Sequence, residues 1–140
     1  MSKHTYKQAG VDIHEAASFV DDIGALGALG VARERVLLDP GIGFGKTVAQ
    51  NFELLAHQDQ LLDLGHPLLL GWSRKSSLGA VTELPVDQRL VPSVAAAVLA
   101  LERGARVLRV HDVADTVAAV KVWAAAQPTP LPVGHQPALA

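Results

Sequence analysis

The sequence predicts an α/β protein built on a short parallel sheet. Three observations carry this reading. Short apolar runs begin near residues 36, 68 and 107. Stretches with helical spacing of apolar residues separate them, leaving room for the crossovers that parallel neighbours require. Each run ends in a cluster of charged, hydroxyl or glycine residues. Right-handed crossovers set the carboxyl ends of all three strands on one side, the side on which α/β proteins bind ligands.

Taken in order, residues 1–10 are polar and form an extension. From Val11 to Leu29, Ile13, Ala16, Ala17, Val20, Ile23, Leu26 and Leu29 recur at close to 3.6 residues and predict a helix. Val36-Leu37-Leu38 is a buried strand that stops at Asp39-Pro40-Gly41. Thr47-Val48-Ala49-Gln50 fits a capping box and opens a helix running to about Leu64. Gly65 supplies its left-handed stop, and Pro67 follows. Leu68-Leu69-Leu70 is the second strand, ending at Gly71-Trp72-Ser73. Pro92 suits the first turn of a third helix that ends near Arg103, before Gly104. Val107 to Val110 is the third strand, and a last helix spans about Val113 to Ala126. The tail from Gln127 to Ala140 carries four prolines and reads as extended.

Composition narrows the function. At 140 residues the chain is one domain at most. Hydrophobic residues make up 49% and aromatic ones only 4%, so the core is built from Ala, Val and Leu. A net charge of −2 argues against a broad nucleic-acid-binding face, though not against a local anion site. With no cysteine, disulfides, thiolate chemistry and Cys-based zinc sites are excluded. The amino terminus has no apolar stretch of signal-peptide type, and no apolar run approaches the roughly 18 residues of a membrane span. The expectation is a cytoplasmic protein with no membrane partner. His4 and His135 fall in the tails, His14, His57 and His66 have no partner at metal-ligand spacing, and no metal site can be assembled from this chain.

The three strand ends hold the chemistry. Asp39-Pro40-Gly41-Ile42-Gly43-Phe44-Gly45-Lys46-Thr47 has three glycines in five residues, which let backbone N–H groups approach a ligand closely. It is neither a nucleotide P-loop, because position 40 is proline where a glycine is required, nor the dinucleotide fingerprint, because Lys46 stands where the third glycine belongs. Asp39 can accept from a pair of ring N–H donors, or it can cap amides of its own turn. Gly71-Trp72-Ser73-Arg74-Lys75-Ser76 sets a point cation and a planar one beside hydroxyls, a set suited to phosphate or a heteroaromatic carbonyl, or simply to a solvated turn. In Arg109-Val110-His111-Asp112, Arg109 and His111 fall on one side of an extended chain and could hold a pyrophosphate. His111 could instead cap the last helix. Asp112 is read as that helix's N-cap.

In series, these three motifs resemble the carboxyl-terminal half of dihydropteroate synthase, over about residues 11 to 126. The resemblance implies part of a (β/α)8 barrel, with three parallel strands and about four helices. It implies condensation of 6-hydroxymethyl-7,8-dihydropterin pyrophosphate with p-aminobenzoate, a folate-pathway step giving 7,8-dihydropteroate and pyrophosphate, assisted by Mg2+. Carried over residue by residue, Asp39 grips the pterin's amino and ring N–H groups. Gly43 lets the backbone pass close to the ring, and Phe44 and Ser73 face p-aminobenzoate. Lys75 donates to the pterin. Arg109 lies over the pterin face and, with His111, binds pyrophosphate. Catalysis would rest on Lys75, Arg109 and His111, with Arg109 and His111 clamping the anionic leaving group and Lys75 holding the ring, rather than on a nucleophilic side chain.

The chain departs from that family at position 77, a serine where the family usually has Phe, and this is expected to loosen the p-aminobenzoate side. It also departs in length. A barrel of this type needs roughly 250 residues, so the asparagine-bearing first strand that binds the metal, and the mobile Thr-Arg loop, lie outside this sequence. Open sheet edges then call for a complement, either an amino-terminal half or self-association. Two other readings remain: a non-catalytic relative acting as an association module, and a pterin-binding methyltransferase-type barrel. The Ser-Arg-Lys and Arg-x-His signatures fit the second less well than they fit the synthase.

Overall fold

A computed structural model describes residues 22–128. The polar extension, the first half of the first helix, His4, His14, and His135 with the rest of the tail beyond position 128 lie outside the described residues. Helix α1 (residues 22–28) leads to a loop and a single turn of 3-10 helix, Arg33–Arg35. Then follow α2 (Val48–Ala56), a 3-10 segment (Gln58–Leu64), strand β1 (Leu68–Leu70), α3 (Ser76–Thr82), α4 (Leu90–Glu102), β2 (Ala105–Leu108) and α5 (Val113–Ala125).

The sheet is parallel, as the spacing requires, with Leu68 opposite Ala105 and Leu70 opposite Leu108. The first expected strand is smaller than predicted. It contributes one bridge, Leu38 to Leu68, in which the Leu38 N–H donates to Pro67 O at 3.0 Å and Leu69 N–H donates to Leu38 O at 2.8 Å. Pro40 has no N–H to extend the ladder, and Asp39 turns instead to its own loop. The third strand begins two residues earlier than expected, because Gly104, at φ +90°, turns α4 directly into Ala105. Its pairing still reaches Arg109, whose N–H donates to Leu70 O at 2.9 Å.

Two helices also differ from expectation. The predicted helix to Leu64 breaks at His57. There Gln58 turns inward and its amide donates to the carbonyls of Ala100 and Arg103, at 2.9 and 3.1 Å. The tighter 3-10 winding that follows brings Leu61 and Leu64 against the core. Helix α3 has no counterpart in the sequence reading, since Ser-Ser-Leu-Gly is poor in helix formers. It is held from outside, with Leu78 buried in the core and Ser77 bonded to α2.

Elsewhere local signals operate as read. Thr47 and Gln50 form the capping box, with Gln50 N–H to Thr47 Oγ1 at 3.2 Å and Thr47 N–H to Gln50 Oε1 at 2.8 Å. Gly65 is left-handed at φ +72° and ends its segment. The core is Leu and Ala, centred on Leu38, Leu68, Leu70, Ala96, Ala100 and Ala105, with Trp72 packed on Phe52 at its rim. Among the described residues, nothing pairs with the outer edge of β2, and α5 leaves Val113, Val117 and Val122 exposed.

Candidate active site

The Gly-rich loop after Leu38 is anchored by alternation. Ile42 is fully buried, while Phe44, two residues on, is 63% exposed. Gly41, Gly43 and Gly45 all have positive φ. Gly43, at φ +80°, also has Lys75 stacked on it: a Cβ there would lie 2.9 Å from Lys75 Cδ. Its N–H donates to Asn51 Oδ1 at 2.9 Å, and Asn51 Nδ2 donates to Ser77 Oγ at 2.9 Å. Asn51 and Ser77 are 1% and 2% exposed. Ser77 therefore points inward as part of a buried strut and does not line the open rim beside Phe44. Lys46 folds back onto its own loop, donating to the Gly41 and Phe44 carbonyls, and does not reach the site.

Asp39 divides its carboxylate. Oδ1 accepts from Gly41 N–H at 2.9 Å, the turn-capping reading, while Oδ2 faces Arg109 Nη2 at 3.7 Å. The first strand tip thus meets the third. Arg109 also lies flat over Gly71, where a Cβ would come within 2.7 Å of Nη2. The second tip meets the third through Ser73, which is buried. Its Oγ accepts from His111 N–H at 3.2 Å and stands 2.9 Å from His111 Nδ1. The His111 ring is held by Ser73 rather than by the start of α5. The first tip meets the second through Lys75, whose Nζ lies 4.2 Å from the centre of the Phe44 ring.

Asp39, Gly43, Phe44, Ser73, Lys75, Arg109 and His111 therefore come together on one face. Asp112 departs from expectation. It occupies the N-cap position of α5 but makes no side-chain cap. Its carboxylate takes Arg74 in a fork, at 2.6 and 3.2 Å. Hydrogen bonding to Arg74 holds the Asp112 carboxyl below its ordinary range, and the same bond raises Arg74. Arg74 stays charged but is spoken for by Asp112, and the remaining cations at the strand tips are Lys75 and Arg109, the latter 3.7 Å from Asp39.

Three contributors were not read from the sequence: Asn51, Arg89 and Ser93. Asn51 lies in the stripe it shares with Leu54, Leu55 and Gln58, and a polar side chain inside an apolar stripe is a usable signal of a buried bond. No such pattern marks Arg89, whose guanidinium reaches three carbonyls: Leu84 at 2.9 Å, Arg74 at 3.1 Å and Lys75 at 3.4 Å.

Among the described residues no three His, Asp or Glu side chains cluster, and Asp39 and Asp112 both direct oxygens at arginines. Mg2+ demands oxygen ligands in near-octahedral geometry, and these two carboxylates do not provide them. No described helix is long and apolar enough to cross a membrane.

The family model described as pterin binding enzyme matches residues 2–111. The dihydropteroate synthase of Haemophilus influenzae is 48% identical over 96 residues, 69% of this chain and 35% of that protein. Among solved structures, dihydropteroate synthase from Xanthomonas albilineans in complex with 7,8-dihydropteroate superposes with a TM-score of 0.81 at 46% identity. That match covers 93% of this chain and 51% of the other. The same enzyme with 4-aminobenzoic acid gives 0.78 at 50% identity, covering 81% and 42%. The chain thus spans about a third of the curated relative and about half of the solved ones, and its fold is part of a (β/α)8 barrel.

Proposed function

The chain belongs to the pterin-binding enzyme family, and we propose that it forms the carboxyl-terminal part of a dihydropteroate synthase site. There 6-hydroxymethyl-7,8-dihydropterin pyrophosphate condenses with p-aminobenzoate. The observation that carries this is the meeting of three strand tips through Asp39–Arg109, Ser73–His111 and Phe44–Lys75. Asp39 Oδ2 stands 3.7 Å from Arg109, and on this reading the amino and ring N–H groups of a flat heterocycle take the place of that guanidinium on it. Arg109, 58% exposed, can lie over that ring and, with His111, hold the diphosphate. Lys75 reaches the same space and donates to the pterin. Phe44 offers an apolar wall to p-aminobenzoate, with Ser73 behind it.

The chemistry asks little of these groups as nucleophiles. As the bond from the pterin methylene to the pyrophosphate oxygen breaks, the electron pair leaves with the anion. The amine of p-aminobenzoate then attacks the methylene and loses a proton. Fixed cations aimed at the departing charge lower that barrel-mouth barrier without reorganising. Mg2+ would neutralise the leaving group when bound. On this reading its protein ligand lies in the remaining half of the barrel.

The same half is the partner this chain requires. The outer edge of β2 is unpaired among the described residues. Beside it, Leu108, Val110, Val113, Val117 and Val120 line an open groove of about 440 Å³. Amino-terminal barrel strands fit this edge, and a folate-pathway step of this kind belongs in the cytoplasm. The test is pyrophosphate release from the pterin pyrophosphate, p-aminobenzoate and Mg2+, with the chain alone and mixed with an amino-terminal half. Release that disappears in Lys75→Ala supports catalysis. No release in either mixture leaves a non-catalytic association module.

A further inference from the structure

We propose that Arg89 and Ser93, at the start of α4, are positioning residues that fix Lys75 in the site by clamping the backbone on which it stands. This deepens the reading above and rests on Lys75 serving that site. Arg74 has φ +59°, a left-handed conformation that a residue with a Cβ adopts only under constraint. The constraint is visible on every side. Arg74 N–H donates to Ser93 Oγ at 2.9 Å, and the Ser93 hydroxyl in turn donates to Arg89 O. The Arg89 guanidinium takes the carbonyls of Arg74 and Lys75. The Arg74 side chain is held by Asp112, and Lys75 N–H donates to Trp72 O at 3.2 Å.

With the Arg74–Lys75 peptide so held, the Lys75 stem leaves in one direction, across Gly43 and over Phe44. Gly79 belongs to the same device, because a Cβ there would overlap the Arg89 guanidinium. A lysine at position 89 would keep the charge and much of the stem. It lacks the planar fork needed to reach three carbonyls at once.

A matched control lies elsewhere in the chain. Arg33 grips the Gly65 carbonyl through Nε and Nη2, at 3.3 and 3.0 Å, again over a glycine that has no room for a Cβ. It touches nothing in the site. The experiment is proton NMR of the full chain, reading the Lys75 ε-methylene resonance. Phe44 should shift it upfield by ring current, and Phe44→Leu should remove that shift. Arg89→Lys is expected to abolish the shift and Arg33→Lys to keep it. Retention in Arg89→Lys, or equal loss in Arg33→Lys, overturns the proposal, as does a wild-type resonance without the shift. Should Arg89→Lys fail to fold, Ser93→Ala decides in its place, with loss supporting and retention overturning. Calorimetry with inorganic pyrophosphate separates the two readings. Wild type should bind it through Arg109 and His111, and Arg89→Lys, which releases only Lys75, should bind it within about twofold of wild type. A wild-type chain that shows the shift but binds no pyrophosphate counts against the proposed function and leaves the clamp standing.

Discussion

Truncating Asn51 to alanine removes a buried strut between the Gly-rich loop and α3. Asn51 is 1% exposed and makes two hydrogen bonds, accepting from Gly43 N–H and donating to Ser77 Oγ, each at 2.9 Å. Each such bond contributes about 1 kcal/mol net, and a buried group left without a partner costs about 1–3 kcal/mol. Ser77 Oγ, in a side chain 2% exposed, is stranded away from solvent, while Gly43 N–H sits nearer the surface and can be rehydrated. The expected loss for Asn51→Ala is therefore about 2–4 kcal/mol. Ser77→Ala removes one bond and frees only the Asn51 amide, for a loss of about 1–2 kcal/mol. Because the two mutations share a bond, their effects must not add. Urea denaturation of both single variants and the double should give a coupling of about 0.5–1.5 kcal/mol. A coupling below about 0.3 kcal/mol, within the additivity expected of independent sites, would refute the strut. So would a loss below about 0.5 kcal/mol for Asn51→Ala, the range typical of surface changes.

Other perturbations follow from single contacts. Gly43→Ala forces a Cβ residue to φ +80° and against Lys75 Cδ. It should cost about 1–2 kcal/mol and displace Lys75 from Phe44, read by denaturation and by the Lys75 resonance. Thr47→Ala removes one arm of the capping box and should cost about 1 kcal/mol, measured by chemical denaturation. Asp112, depressed below its ordinary value of 3.8 by Arg74, contributes stability above that value and loses it as pH falls through the lower folded value. Thermal melts between neutral pH and about pH 2 should therefore show a shallower acid limb in Asp112→Asn than in the wild type.

Much of this was legible because it is local. Thr47 with Gln50, Gly65 and Gly104 act within a turn of themselves, and their roles could be read from spacing. The site residues were legible for a different reason. Strand ends are topologically obliged to gather, so Asp39, Ser73, Lys75, Arg109 and His111 needed only the strand order to be placed together. What escaped was the tertiary pairing of polar side chains. Asp112 looked like a cap because it precedes a helix, but Arg74, 38 residues earlier, competes for the same oxygens. Helix α3 escaped because Ser77 and Leu78 are helical through what they touch and not through propensity.

Among the described residues, the strand tips are bonded to one another by contacts within this chain. Asp39 meets Arg109, Gly43 is tied through Asn51 to Ser77, Ser73 meets His111, and Arg89 holds the Arg74–Lys75 peptide. None depends on the strands that would lie beyond β2. On the proposed reading, a complement would add the second wall of a cleft whose first wall these contacts hold. Under the function proposed above, one wall would hold the ring and the departing charge. Groups that must be fixed before the anion forms are best held by short, cross-bonded segments, and the three tips of this chain are bonded in that way.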